Sequence, residues 1–239
     1  MRFISLLLIF HITAIYSIGQ TNLEQAKQYY KDGQYAESEE IWKQYILEGF
    51  QNAEIFYHLA NCHYQQKEFP QAILYYQKAL SINPAFKTAS DYLLKAQKLA
   101  DVEPIKNKKW KIALWFDHLS FLVPSMVWLL LVSIGLSFTL FWSFIKPSRL
   151  KAIIFLGLSL ISGILLARQE WVKKDLKQAW VVMDNVPARL SPDDGSLSEG
   201  QMKAGETVQV LEQIDDWVKV QSGLLGSYWV ERNKLSAVK

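Results

Sequence analysis

The chain has 239 residues, half of them hydrophobic, and a formal net charge of +3 at neutral pH. This length allows one or two domains, and the single cysteine, Cys62, excludes an internal disulfide. Residues 20–100 carry 8 basic and 9 acidic side chains, and residues 178–239 carry 6 and 9. Neither region is basic, so we predict no nucleic-acid partner.

The first 20 residues have the pattern of a secretory signal peptide. Arg2 supplies a positive start, an apolar stretch without formal charge follows, and the small residues Ser17 and Gly19 precede a cleavage point. We therefore predict a signal peptide over residues 1–19, and the alternative is an uncleaved anchor. Either version leaves the following chain outside the cytoplasm.

A 34-residue period runs through residues 20–100, and it aligns Ala26 with Ala60 and Tyr30 with Tyr64. In the second copy, large and small apolar residues recur at the spacing of paired helices: Phe56, Leu59, Ala60, Phe69, Ala72, Tyr76, Ala79 and Pro84. One such unit cannot bury its apolar face alone, so the units must stack. We predict two repeats and a capping helix from Ala85 to Ala100.

These residues resemble tetratricopeptide repeats (TPRs), although His63 stands where the family has Tyr. The resemblance implies that the first helix of each repeat lines a groove for a peptide or partner helix. By that alignment the groove positions are Lys27, Tyr30, Tyr57, Asn61, Tyr64, Asp91 and Lys95. Leu23, His58 and Thr88 replace the Lys, Asn and Lys of the family's carboxylate clamp, so we predict no capture of a free C-terminal carboxylate.

Two apolar stretches follow the repeats, and a short basic segment separates them. About 20 helical residues at ~1.5 Å rise cross a ~30 Å hydrocarbon core. We predict transmembrane helices over residues 119–145 and 152–167, a cytoplasmic turn over 146–151, and linkers over 101–118 and 168–178. The alternative is a buried core hairpin of a soluble protein.

The two apolar stretches hold no acidic residue and no histidine, so we predict no transport function. Ser133 and Ser137 are four residues apart, as are Ser159 and Gly163, and this small-residue spacing allows helices to approach closely. The alternative is that these small residues face lipid and occur at this spacing by chance. Pro124 is expected to kink the first span near its outer end.

Residues 179–239 show the pattern of short β-strands. Thr207–Leu211 and Trp217–Val220 alternate between apolar and polar residues, and Gly and Asp turn signals separate such segments. This predicts a small all-β barrel. Residues 186–192, 203–208, 216–220 and 226–230 resemble bacterial SH3 (SH3b) domains, which implies a ligand surface. Its candidate residues are Arg189, Trp217, Tyr228 and Trp229, and we expect one of the two tryptophans to belong to the core.

The sequence offers no nucleophile–base pair, metal-ligand spacing or phosphate-binding loop. His58 and His63 are five residues apart on a predicted helix, so they diverge and make a poor metal pair. We therefore predict no catalytic residue, no metal, no cofactor and no enzymatic activity.

The order of the parts resembles the TPR/SH3 members of the Bacteroidetes aerotolerance (Bat) membrane proteins. The predicted fold class is multidomain: α-helical TPR repeats, a two-helix transmembrane hairpin and a small all-β SH3b barrel. The resemblance implies a scaffold in the cytoplasmic (inner) membrane, with both soluble domains in the periplasm. Its partners would be von Willebrand A-type Bat membrane proteins and a MoxR-type ATPase system. The alternative is a receptor whose SH3b domain binds peptidoglycan.

Overall fold

The structure, a computed structural model, describes residues 23–103, 119–145, 148–222 and 226–238. The predicted signal peptide, most of the first predicted linker and two residues of the predicted cytoplasmic turn lie outside these residues. The described chain forms a helical region, two long apolar helices and a C-terminal antiparallel β-domain, in that order.

Five described helices make up the N-terminal region. They are α1 (residues 23–31), α2 (Tyr35–Leu47), α3 (Ala53–Gln65), α4 (Phe69–Ile82) and α5 (Lys87–Leu99). Local sequence explains their ends. The Asn52 side chain caps α3 by accepting a hydrogen bond from Ile55 N at 2.9 Å. Gly49 follows α2 with a φ of +92°, a left-handed conformation that glycine adopts with little strain.

Small residues lie where the repeat helices cross. Ala60 of α3 and Ala72 of α4 are fully buried, and the large ring of Tyr76 is buried beside them. The last helix, α5, turns Ala89 and Ala96 towards the same core. This alternation of small and large side chains brings the backbones close while filling the space around each crossing.

Two long apolar helices follow. The first apolar helix is Ser125–Leu140, and it continues as a π-helical turn over Phe141–Ile145. The second apolar helix is Arg149–Lys177. Among the described residues, two stretches are long and apolar enough to cross a membrane: Ser125–Phe144 with 20 residues and Arg149–Leu176 with 28.

The helix ends differ from those expected. Pro124 stands at the N-cap of the first apolar helix, so it begins the helix and does not kink it. The second apolar helix passes through residues 168–177, which we expected to form a linker. Only Gln178 separates this helix from the β-domain, so the two are directly connected.

The two apolar helices cross where Gly135 meets Ser159. A Cβ atom on Gly135 would lie 3.0 Å from Ser159 Cβ, and Ser159 Oγ donates a hydrogen bond to Val132 O at 3.0 Å. Ser159 therefore lies at the helix contact, as its small-residue spacing predicted, whereas Ser133 and Ser137 are exposed. The close approach depends on glycine in the first helix.

Residues 179–238 form the β-domain, an antiparallel sheet in the order β3-β2-β6-β5-β4-β1-β7. Its strands are β1 (Ala179–Val182), β2 (Val186–Arg189), β3 (Ser198–Met202), β4 (Thr207–Ile214), β5 (Trp217–Ser222), β6 (Gly226–Glu231) and β7 (Leu235–Ala237). Within the pairing of β4 with β5, the register shifts between Val210 and Glu212, which indicates a β-bulge in β4. Valines from most strands and Met202 fill the interior.

The β-domain packs against the outer side of α4. Ile73 of α4 is fully buried and belongs to the same apolar cluster as Val102, Val181 and Val238. The side chains of the two domains therefore share one core. Burial of apolar surface of this kind contributes about 25 cal/mol for each Å² removed from water, so this contact favours the docked arrangement.

Two polar contacts accompany this shared core. Gln77 Nε2 donates a buried hydrogen bond to Thr207 Oγ1 at 2.5 Å. At the exposed margin, Lys203 Nζ lies 2.5 Å from Asp101 Oδ2. The β-domain thus covers apolar surface of α4 that this helix cannot bury alone.

Candidate functional site

The predicted groove residues of α3 lie within a group of packed aromatic rings, here called the tyrosine cluster. Its members are Tyr57, Tyr64, Tyr76, Phe86 and Tyr92. The ring centroid of Tyr92 lies 6.2 Å from that of Tyr57 and 5.8 Å from that of Tyr64. Phe86 approaches Tyr57 to 5.0 Å. Tyr76 is buried, whereas the other four are half-buried and offer part of each ring to a ligand.

Asn61 is buried against the tyrosine cluster and is hydrogen-bonded to Tyr76. It was predicted to contact a ligand, but it is only 8% exposed, and its Oδ1 accepts a hydrogen bond from Tyr76 Oη at 2.6 Å. Burial raises the pKa of Tyr76, so this hydroxyl remains a hydrogen-bond donor. The pair orients the buried ring of the tyrosine cluster.

The charged groove positions lie at its margin. Lys95 Nζ stands 4.4 Å from the ring centroid of Tyr92, within the range of a cation–π interaction. Lys27 Nζ lies 2.8 Å from Glu24 Oε1 on the surface of α1, and Asp91 is exposed. Of these side chains, Lys95 places accessible positive charge beside the tyrosine cluster.

Tyr30 links α1 to the end of α3. Gln65 Nε2 donates a hydrogen bond to Tyr30 Oη at 3.1 Å, and the ring of Tyr35 packs edge-on at 5.3 Å. Burial raises the pKa of Tyr30. The structure adds Phe86 and Tyr92 to the predicted set. A signal for Tyr92 was available, since it follows the predicted position Asp91 directly.

Three of the four candidate ligand residues of the β-domain come together. The Arg189 guanidinium lies 5.6 Å from the ring centroid of Trp217, and Arg189 pairs with Trp229 across β2 and β6. Lys219 Nζ lies 5.7 Å from the Trp229 ring. Trp229 is 7% exposed and Trp217 is half-buried, so Trp217 offers more of its ring to a ligand.

Tyr228 does not join this group. Successive residues of a strand point to opposite faces, and Tyr228 belongs to the apolar core of the β-domain. Its hydroxyl donates a hydrogen bond to Glu199 Oε2 at 2.9 Å. Arg189 also has a local role, because it donates to Asp194 O and Ser196 O and so braces the turn between β2 and β3.

One group of side chains has the donor types of a metal site. Ligand atoms of Glu39, His63 and Glu68 lie within 4.8 Å of one another. His63 Nδ1 is 2.7 Å from Glu68 Oε2, and Glu39 already pairs with Lys43 Nζ at 2.5 Å. Burial opposes ionisation of Glu39, but hydrogen bonds from Lys43 and Gln66 hold its pKa below the usual value. We assign this group as an ion-pair network joining α2, α3 and the start of α4.

Cys62 is fully buried between α2 and α3, with its Sγ 3.4 Å from Ser38 Oγ. Burial raises the pKa of the Cys62 thiol to about 11, so the nucleophilic thiolate is scarce at neutral pH. The side chain therefore acts as small apolar filling.

The family model for the tetratricopeptide repeat matches residues 53–86, which contain α3 and α4. The chain is therefore a TPR-containing protein, and the predicted second repeat is confirmed. Repeats of this family are typically protein-binding modules without catalytic activity, and the tyrosine cluster lies within or beside the matched residues. A comparison with curated proteins finds no match for the chain.

Proposed function

We propose that this protein is a membrane-anchored scaffold of the cell envelope that holds a partner protein in its TPR groove. The observation that carries the proposal is the tyrosine cluster, because half-buried aromatic rings beside an exposed lysine, Lys95, suit contact with a protein segment. Its rings are already ordered by their neighbours, so a ligand would lose little of its binding energy in ordering them.

Exposure of the two apolar helices supports membrane anchoring. Only 6% of the most apolar window in the first and 17% in the second is buried against protein. Met126, Phe144 and Leu150 are each more than 70% exposed. An apolar surface this extensive is stable only when lipid or another protein covers it. A core hairpin of a soluble protein would bury these side chains.

Two spans return the chain to the side from which it entered. With a signal peptide over residues 1–19, the repeats and the β-domain would both lie in the periplasm, and the proposed location is the inner membrane. In this arrangement, protease added to spheroplasts should digest both soluble regions. Protection of either region would contradict the two-span topology.

We further propose that the scaffold is similar to BatE, the TPR/SH3 member of the Bat family, and acts in an aerotolerance or stress complex. Its partners would then be von Willebrand A-type Bat membrane proteins, working with a MoxR-type ATPase system. The support is the order of parts: TPR repeats, two apolar helices and a β-domain with SH3b-like segments.

The groove is best tested by reversing charge at its margin, since replacement of its packed rings would disturb the fold. The variant carries Lys27→Glu and Lys95→Glu in the full-length chain. Proteins that crosslink to the chain in native membranes are identified by mass spectrometry. We expect at least one partner to be lost by about tenfold or more, as follows from a change of about 1.4 kcal/mol.

The matched control carries Lys31→Glu and Lys67→Glu. Both lysines are exposed and lie outside the predicted groove positions, and the net charge changes by the same amount. We expect this control to keep every partner. An identical partner list for both double variants and the wild type would exclude the groove as the binding site.

The alternative function is a receptor that binds peptidoglycan through the β-domain. The grouping of Arg189, Trp217 and Trp229 favours it, since the half-buried Arg189 and Trp217 offer a basic and an aromatic group to a peptide or sugar ligand. The detergent-solubilised full-length chain should then sediment with purified peptidoglycan, and Trp217→Ala should abolish this. Trp180→Ala is the control, because Trp180 is also half-buried beneath an arginine, Arg232. Absence of saturable sedimentation by the wild type excludes the receptor.

A further inference from the structure

A cleft of about 300 Å³ lies where the repeats meet the two apolar helices. It is bordered by Pro84 after α4, by residues 121–125 at the start of the first apolar helix, and by Gln169 and Lys173 of the second. Gln169 and Lys173 are four residues apart, so both point from the same side of the helix. The cleft therefore combines apolar side chains with polar ones, among them Gln169 and Lys173.

Of Gln169 and Lys173, Gln169 has the more unusual environment. It is only 4% exposed, and within the described part of the chain its Oε1 has no hydrogen-bond partner. A buried carbonyl oxygen gives up its hydrogen bonds to water on folding, and this is unfavourable unless another donor replaces them. An N–H or O–H group in the cleft would supply that donor.

The cleft also has groups that attract an anion. The side chain of Lys173 is 23% exposed, and its Nζ lies 3.0 Å from Glu170 Oε1. The first apolar helix begins at the cleft, with Pro124 at its N-cap and no side-chain cap. Free N–H groups at a helix N-terminus carry partial positive charge and bind anions, phosphate groups in particular. An anion would find both a lysine and a helix N-terminus here.

The position of the cleft indicates where its ligand comes from. Gln169 follows the end of one apolar stretch, and Ser125 begins the other. Helices that span a bilayer place such ends in its headgroup layer. Leu122 is 61% exposed and Met126 is 76% exposed beside the cleft, so an acyl chain has an apolar surface to follow.

We propose that this cleft binds the headgroup of a glycerophospholipid whose phosphate ester is followed by an N–H donor, as in phosphoethanolamine. The phosphate binds at the start of the first apolar helix and at Lys173. The ammonium group donates a hydrogen bond to Gln169 Oε1. The proposal rests on the membrane anchoring put forward above.

The discriminating probe is a pair of lipids that differ only in the donor. Phosphatidylethanolamine and phosphatidylcholine share the phosphate and the zwitterionic charge, but choline has no N–H group. The full-length chain is delipidated in detergent, each lipid is added, and native mass spectrometry measures its occupancy. We expect phosphatidylethanolamine to bind about fivefold more tightly, the ratio for one ordinary hydrogen bond of about 1 kcal/mol.

Three variants identify the groups responsible. Gln169→Leu removes the buried acceptor, so it should fold at least as well without lipid and lose the preference between the two lipids. Lys173→Gln should weaken both lipids equally. Lys174→Gln is the control, because Lys174 is exposed and does not border the cleft.

Equal binding of the two lipids by the wild type would overturn the proposal, as would a preference that survives Gln169→Leu. Inorganic phosphate that stabilises the chain as much as the lipid does would also overturn it, by indicating a simple anion site. Carbonate extraction of native membranes distinguishes a failure of the lipid-binding proposal from a failure of the membrane-anchoring proposal. A chain that stays in the membrane but shows no lipid preference contradicts the cleft alone, whereas a chain released by carbonate contradicts the anchoring.

Discussion

Ile73 Cδ1 lies 2.8 Å from the position that a Cβ atom would take on Gly205, two residues before the start of β4. Gly205 also has a φ of +93° and is buried. A side chain at this position would meet both a strained backbone and the side chain of α4. The docking of the β-domain on the repeats therefore depends on a glycine.

We expect Gly205→Ala to lower the free energy of unfolding by about 2–4 kcal/mol, from left-handed strain and overpacking together. The measurement is denaturant unfolding of the full-length chain in detergent, followed by tryptophan fluorescence. Gly49→Ala is the control, since Gly49 has a φ of +92° and no neighbouring atom within 4 Å of a Cβ position. Gly49→Ala should lower the free energy of unfolding by only about 1–2 kcal/mol. Equal losses in the two variants would mean that the contact with Ile73 is unimportant.

The buried hydrogen bond between Gln77 and Thr207 predicts coupling between the two domains. Thr207→Val alone leaves the Gln77 amide without its partner, at a cost of roughly 1–3 kcal/mol. The double variant Gln77→Leu/Thr207→Val removes both polar groups. We expect it to lose less stability than the sum of the single variants, with a coupling of about 0.5–3 kcal/mol. Strictly additive losses in denaturant unfolding would show that the two side chains do not interact.

His58 stacks on Trp42, with ring centroids 4.8 Å apart and planes 10° from parallel. Burial, together with the positive charge of Lys27, lowers the pKa of His58. Its folded pKa is thus below the unfolded value of about 6.5, so the unfolded state binds the proton more readily. The contribution of His58 to stability is complete above about pH 6.5 and is lost as the pH falls through the folded pKa.

His58→Phe keeps an aromatic ring on Trp42 but removes the titration. The wild type should lose more stability than this variant between about pH 7.5 and pH 5, where unperturbed histidine titrates. Denaturant unfolding at a series of pH values provides the measurement. Parallel stability curves for the two proteins would rule out His58 as the source of the pH dependence.

The crossing of the apolar helices predicts that substitution of Gly135 lowers stability more than substitution of Gly157. A Cβ on Gly135 would meet Ser159 Cβ at 3.0 Å and Phe155 O at 3.2 Å, whereas a Cβ on Gly157 would meet no atom within 4 Å. Gly135→Leu should therefore separate the helices and lower stability by about 1–3 kcal/mol. Gly157→Leu should have little effect. Thermal unfolding in detergent compares them, and equal sensitivity would place the helix contact elsewhere.

The repeat helices could be predicted from sequence because their signals are local and periodic. The alternation of small and large residues and the position of Pro84 fall within residues 53–86, the range that the family model matches, and the 34-residue period relates this range to the helices before it. The two apolar helices were also expected, but their ends were not. The charged residues after position 167 mark the end of the segment that hydrocarbon can cover, but they do not end the helix. The second helix continues to Lys177 because Arg, Gln, Glu and Lys are good helix formers.

The residues of the groove and of the β-domain surface were predicted one by one. Only the tertiary structure could decide which of them are buried and which lie at the surface. It places Asn61 beneath Tyr76 and Tyr228 in the core, while Arg189 and Trp217 meet at the surface. Such choices depend on packing against residues remote in the chain, which no local pattern records.

The same reason applies to the arrangement of the domains. Sequence alone indicated a helical repeat region, an apolar hairpin and a β-rich end as separate units. The structure adds that α4 and the β-domain share one core, through Ile73 against Gly205 and through Gln77 and Thr207, which are 130 positions apart. Contacts of such long range are stabilised by burial in the folded chain and leave no periodic trace in the sequence.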